Sequence, residues 1–290
     1  MAPHEDFTWT EIQSQPDAWQ QALASIADIE PQLGELARSQ DYEQVIVTGC
    51  GSTYYLALAA AASLREIAKS EALALPASEL WLNPRTSFPS SRRTLLIAVS
   101  RSGETSETLH AVEAYRAAQR GPILTISCYA ERALASMGDL NLVLPSGQEH
   151  SIAQTRAFST LYLATLAFAS LRAGRQDLYS ALQQLPEACS LVLSTSYDYA
   201  YAFGCDSRIE RFFFLGAGAR YGLAAELSLK MKEMSLSESE PFHIMEFRHG
   251  PQSMARRGTL IVGLLSDTQR SYEEAVMNEM EALGATVMRQ

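Results

Sequence analysis

Two stretches of this chain close in the same way. Residues 45–51 read VIVTGCG and residues 212–218 read FFFLGAG, each an apolar run ending in Gly-x-Gly before a helical pattern. Gly49 and Gly216 stand 167 residues apart. The same step carries Glu79 onto Glu246 and Pro84 onto Pro251. It also brings the run LLIAVS, ending at Ser100, close to LIVGLLSD, ending at Asp267. Agreement at one offset points to two copies of a βαβ-type unit.

Within the first copy, short apolar runs at 45–48, 72–75, 95–99, 123–127 and 141–144 predict strands, and 52–68, 104–119 and 130–136 predict helices. Continuous apolar strands alternating with helices imply a parallel sheet covered on both faces. The fold class is therefore α/β: two repeated subdomains, each a flavodoxin- or Rossmann-like three-layer sandwich of helices around a sheet. Residues 16–38 are helical by period, with Pro16 placed well for a helix start. Residues 156–194 read as two helices divided at Gly174, and the domain boundary is expected near 195–205. This gives an N-terminal helical segment, 1–40, a first subdomain, 41–195, and a second, 196–290. The first copy runs well past its fourth strand, ILTIS, whereas the second stops inside the equivalent strand, at GATVMRQ. The second subdomain is thus expected to be incomplete at its C-terminal end.

Charge narrows the partners. Against 33 Asp and Glu stand 23 Lys and Arg, a formal net charge of −10, which disfavours nucleic acid and anionic membranes. A local phosphate site needs only a few donors, so a small anionic substrate stays open. Cys50, Cys128, Cys189 and Cys205 form no CxxC pair and no metal-ligand spacing, and read as reduced thiols. The acidic start lacks an apolar core, His4 reads as part of a mobile tail, and the runs 56–64 and 161–171 are too short to span a bilayer. A cytoplasmic protein is the expectation.

Ser100-Arg101-Ser102-Gly103-Glu104-Thr105 follows a strand and precedes a helix. Free amides, hydroxyls and the positive end of a helix suit a phosphate dianion; a plain helix cap is the alternative for the same residues. Gly49-Cys50-Gly51-Ser52-Thr53 forms a second such turn. Tyr54, and Tyr221 in the partner turn, stand where a dinucleotide fingerprint has its third glycine, so no nicotinamide cofactor is expected. The helix Ala224–Met234 carries Glu226, Lys230 and Glu233 on one face, with Leu223, Leu227, Met231 and Met234 on the other. In isolation that is a solvated salt-bridge stripe. His249, before Gly250-Pro251, sits in a constrained turn as a proton-transfer group or a loop residue.

Taken in order, G-C-G-S, S-R-S-G-E-T, K-M-K-E (Lys230–Glu233) and E-F-R-H-G-P (Glu246–Pro251) resemble the sugar isomerase (SIS) domain family. The resemblance is to the isomerase half of glucosamine-6-phosphate synthases and to stand-alone phosphosugar isomerases and deaminases. Trp9-Thr10-Glu11-Ile12 with Gln15-Pro16 resembles the start of that half. The resemblance implies that Ser100, Arg101, Ser102 and Thr105, with Cys50, Gly51, Ser52 and Thr53 of the first turn, hold a 6-phosphate. It makes Glu233 the base that moves a proton between C1 and C2, His249 the ring-opening group, and Lys230 a neighbour of the substrate oxygens; no metal or cofactor is implied. Ile152 and Gln154 line the sugar end, and His150 lies close by. It also implies a homodimer or higher homo-oligomer.

The chain departs from the synthases at Arg101, where they have glutamine, and at Gln154-Thr155-Arg156, where they have Ser-Thr-Lys. It has no glutaminase domain and no cysteine after Met1, and the family's C-terminal catalytic lysine would fall beyond Gln290. The expected activity is aldose–ketose isomerisation of a hexose or hexosamine 6-phosphate, with or without amine release. A fructosamine-type deglycase and a non-catalytic sugar-phosphate regulator are the alternatives.

Overall fold

The computed structural model describes residues 6–88 and 92–290; His4 lies outside them. It divides into two compact units, 1–194 and 195–290.

In the first unit, β1 (Gln44–Gly49), β2 (Glu71–Pro76), β3 (Thr94–Ser100), β4 (Ile123–Ser127) and β5 (Leu140–Val143) pair in parallel, in the order β2-β1-β3-β4-β5. Every residue of β3 and β4 is buried, as uninterrupted apolar runs require when helices cover both faces. On one face, Ile46, Leu96 and Ala98 pack against Val112 and Tyr115 of α7 (Ser106–Ala117) and Leu134 of a 3₁₀ turn, Ala133–Ser136. Elsewhere α4 (Ser52–Ala68) packs against β1, β2 and α8 (Arg156–Arg172), burying Leu56, Ala60, Leu161 and Phe168.

Several expected boundaries shift. The helix at 16–38 is two, α2 (Gln15–Asp28) and α3 (Glu30–Arg38), following α1 (Phe7–Gln13). Pro31 lies in the first turn of α3, where its missing N–H does no harm, but it cannot continue α2. The helix expected over 104–119 is α7, starting two residues later behind Thr105, and 130–136 is only the 3₁₀ turn. Past Gly174 the chain forms two helices rather than one, α9 (Gln176–Ala181) and α10 (Leu185–Gly204), after the short α5 (Ala77–Leu82) and α6 (Pro84–Ser87). The units divide at 194/195, within α10, which runs to Gly204.

The second unit pairs β6 (Arg211–Gly216), β7 (Glu238–His243), β8 (Thr259–Leu264) and β9 (Thr286–Arg289) in parallel, in the order β7-β6-β8-β9. α11 (Ala219–Met234), longer than expected, and α12 (Arg270–Ala282) flank it. Phe213, Leu215, Ile261, Met277 and Met280 fill one core, and Phe214, Ala224 and Leu260 the other.

Strand register sharpens the repeat. Gln44 to Arg211 and Glu71 to Glu238 are both steps of 167, but Thr94 to Thr259 is a step of 165. The second copy therefore places Leu265, not Asp267, opposite Ser100. Among the described residues no helix is long and apolar enough to cross a membrane, and no three His, Cys, Asp or Glu side chains are grouped to hold a metal ion.

Candidate functional site

The strand order of the first unit reverses between β1 and β3, and parallel sheets open a crevice at the carboxyl ends of such a pair. Both predicted turns lie there, Gly49–Thr53 after β1 and Ser100–Thr105 after β3. A sulfur hydrogen bond links the first turn to α7, which follows the second: Cys50 Sγ lies 3.6 Å from Thr108 Oγ1 on the first turn of that helix. Burial pushes the Cys50 thiol above its ordinary value, with the Thr108 hydroxyl opposing.

In the Ser100–Thr105 turn three hydroxyls converge. Thr105 Oγ1 is 3.1 Å from Ser100 Oγ and 3.4 Å from Ser102 Oγ. Gly103 N donates to Ser100 Oγ and Glu104 N to Ser102 Oγ. The backbone is held from behind, where Cys128 N donates to the Arg101 carbonyl and Leu134 N to that of Gly103. A Cβ on Gly103 would meet Arg132 Cβ at 2.9 Å, so the turn cannot close on this segment with a larger residue. Thr105 caps α7 without a side-chain bond to its amides. The helix start already favours negative charge. Glu107 is held below the usual carboxylate range, first by its own backbone N–H and then by the Ser106 hydroxyl.

The other turn is more self-contained. Thr53 Oγ1 accepts from Cys50 N and donates to the Cys50 carbonyl, both at 2.9 Å, so its hydroxyl closes the turn. Ser52 is buried and Gly51 exposed.

Arg101 projects differently from its neighbours. Its Nη1 donates to the carbonyls of Ser151 and Ile152, at 3.0 and 3.1 Å, and lies 3.4 Å from Glu149 Oε2. The segment that carries Ile152 and Gln154 is thereby attached to the hydroxyl turn. Ile152 is 94 % exposed at its tip, and Gln154 Oε1 is buried with no hydrogen-bond partner. His150 lies against the Phe7 ring, at 5.1 Å.

The second unit holds the remaining candidates. On α11, Lys230 Nζ reaches Glu233 Oε2 at 2.6 Å and Glu226 Oε1 at 3.2 Å. The stripe is not solvated throughout: the Glu226 and Lys230 side chains are 6 % and 15 % exposed and Glu233 41 %. Leu227 and Met234, on the apolar side, are exposed instead. His249 stands on the exposed loop after β7, following the 3₁₀ turn Glu246–Arg248, which Arg248 fastens to Glu279 of α12 with two bonds of 2.6 and 2.7 Å. At the carboxyl ends of β6 and β7 the Tyr221 and His243 rings stack at 3.8 Å.

The buried roles of two residues escaped the sequence reading, although Glu11 stands in the opening motif Trp9–Ile12. Glu149 and Glu11 are both buried and accept hydrogen bonds from the 149–157 backbone. No local pattern marks them, because Glu11 acts on a segment 139 residues away.

A tandem of parallel α/β units with a hydroxyl-lined turn at the first switch point defines a class of doubly wound proteins whose crevice lies at the carboxyl ends of the strands. The chain belongs to the SIS domain family, which matches residues 40–171 and 207–288. It is 31 % identical to a glutamine–fructose-6-phosphate aminotransferase [isomerizing] of Bordetella parapertussis, over 98 % of this chain and 48 % of that protein. The chain thus spans about half the length of the curated relatives it matches. Among solved structures it resembles a glucosamine-6-phosphate deaminase from Thermotoga maritima, with 28 % identity, a TM-score of 0.79, and coverage of 98 % of this chain and 85 % of that one. A tagatose-6-phosphate ketose/aldose isomerase from Escherichia coli shares the fold, with a TM-score of 0.89 at 24 % identity, covering 100 % and 82 %.

Proposed function

We propose that this chain binds a hexose or hexosamine 6-phosphate and interconverts its aldose and ketose forms. The observation that carries the reading is the convergence of the Ser100, Ser102 and Thr105 hydroxyls at the β1–β3 switch point. Relatives in sequence and structure are named for 6-phosphate sugars, which agrees with a site for a dianionic ester.

In this reading the ester oxygens accept from the three hydroxyls and from the open amides at the start of α7, with the helix dipole aligned toward the charge. Ser52 and the Gly51 backbone supply the facing wall. His249 transfers a proton to the ring oxygen as the ring opens. From the aldose, Glu233 takes the proton from C2 while the C1 oxygen gains one, giving an enediol; its return at C1, while the C2 hydroxyl loses its proton, gives the ketose, and the reverse sequence runs from the ketose with no redox partner. Lys230, bonded to Glu233, fixes where that carboxylate lies. Ile152 and Gln154 meet the sugar end.

The test pairs binding with turnover. Wild type is expected to bind fructose 6-phosphate more tightly than fructose by calorimetry and to form the aldose, followed by NMR. Glu233→Gln should lose turnover by 10³-fold or more, roughly the range for a proton-transfer group, while its binding changes little. Equal affinity for the phosphorylated and plain sugars would end the proposal. Release of ammonia from glucosamine 6-phosphate would refine it to an isomerising deaminase.

A further inference from the structure

The segment Gln148–Ala157 has almost no secondary structure before α8, yet many of its backbone groups are bonded by side chains of other segments. On one side Glu11 of α1 accepts from His150 N and Ser151 N, and Thr8 Oγ1 lies 2.9 Å from Ser151 Oγ. On the other, Glu149 Oε1 accepts from Thr155 N and Thr155 Oγ1 at 2.7 Å and from Ala157 N at 3.1 Å, which makes it a remote cap for α8. Carbonyls are served by cations: Gln148 O by Arg156, and Ser151 O and Ile152 O by Arg101. A loop so fixed holds its tip, Ile152, out in solvent without letting it wander.

Arg101 sits at the junction. Its α-carbon belongs to the hydroxyl turn, while its guanidinium belongs to the loop. Nη1 donates to two loop carbonyls and, at 3.4 Å, to Glu149 Oε2. The Glu149 side chain is fully buried, and a carboxylate there needs a nearby positive charge besides its three donors; Arg101, 3.4 Å away, supplies it.

We infer that Arg101 and Glu149 form a positioning couple that fixes the Ile152–Gln154 segment relative to the hydroxyl turn, and that the Arg101 side chain is not itself a ligand of the phosphate. The couple sets where the sugar end of a ligand meets the protein once its ester is anchored; that consequence rests on the function proposed above, whereas the strut itself does not. Affinity for a bare phosphate then depends on the turn alone, and affinity for the sugar phosphate depends on turn and loop together.

Arg101→Gln and Glu149→Gln separate the possibilities. Glu149→Gln keeps the length and a hydrogen-bonding end, Arg101→Gln keeps a polar side chain too short to reach the loop carbonyls, and either suffices if the other fails to fold. Without ligand, amide exchange of the 149–157 peptide, read by mass spectrometry, should quicken by about tenfold or more in each variant while the β1 peptide is unchanged. Unaltered exchange of that peptide overturns the strut. Calorimetry with inorganic phosphate and with fructose 6-phosphate gives the second readout. The variants should bind inorganic phosphate within about threefold of wild type, as expected for a distant screened charge, yet lose about tenfold or more for fructose 6-phosphate. If Arg101→Gln weakens both probes equally and Glu149→Gln weakens neither, Arg101 grips the ester and the inference falls. If wild type binds neither probe, the proposed function falls, while the exchange experiment still decides the strut.

Discussion

At Gly49 an added Cβ would lie 2.8 Å from the Thr53 carbonyl carbon, and at Gly216 one would lie 2.5 Å from the Arg220 oxygen. In both copies the first helical turn crosses the strand end so closely that no side chain fits. Gly51 and Gly218 differ: nothing lies within 4 Å of a Cβ there, but φ is +54° and +57°, a region other residues avoid. Gly49→Ala should cost about 1–3 kcal/mol by overpacking, and Gly51→Ala a similar amount, about 1–3 kcal/mol, through backbone strain. Thermal melts check both, and a Gly49→Ala protein as stable as wild type would contradict the packing. The cysteines give a pH-dependent test. Burial disfavours the thiolate of Cys128 and pushes its pKa up to about 12, so its reactive fraction grows only as pH climbs toward that value. An aromatic disulfide reagent should therefore label exposed Cys205 first and Cys128 only after urea unfolding, with peptide mass mapping as the readout.

At the level of elements, the two copies differ where they would meet an anion. α7 begins behind three converging hydroxyls, whereas the segment before α12 is closed by its own carboxylate, Glu273, which accepts from Ser266 N. The difference follows from the register step, which sets Leu265 where Ser100 stands, and only strand pairing reveals that step. Strand cores such as ILTIS were legible because a strand buried on both faces must be apolar throughout. The α11 stripe, solvated when read in isolation, differs in the structure for the complementary reason. Helical period tells which residues share a face but not which face turns inward, and Glu226 and Lys230 turn inward while Leu227 and Met234 stay exposed. Lys230→Met removes the cation from a mostly buried pair and leaves Glu226 charged in place. The expected loss is about 2–5 kcal/mol, read from urea unfolding. A loss below about 0.5 kcal/mol would show that the pair behaves as a surface bridge.

Over the whole molecule, the repeat was visible as one spacing between two Gly-x-Gly turns, and the structure gives each copy its own parallel sheet and core. The division between units falls inside α10, at 194/195, within the polar run Ser194–Asp198. The chemistry proposed for this chain is divided in the same way: the hydroxyl turn and its loop belong to 1–194, and Glu233, Lys230 and His249 to 195–290. The first unit contains five paired strands and buries Ile46, Leu96, Tyr115 and Phe168 among its own elements, including α2 and α3 against α8. A domain of that size with a complete core should fold alone. Residues 1–194 produced separately are therefore expected to melt cooperatively by circular dichroism. They should also bind inorganic phosphate within about threefold of the full chain, since the anchor is built from local hydroxyls and amides. The same fragment should give no aldose from fructose 6-phosphate, because it lacks the carboxylate that would move the proton. A folded fragment that cannot bind phosphate would show that the hydroxyl turn needs the second unit, and a fragment that turns over sugar would move the base out of α11.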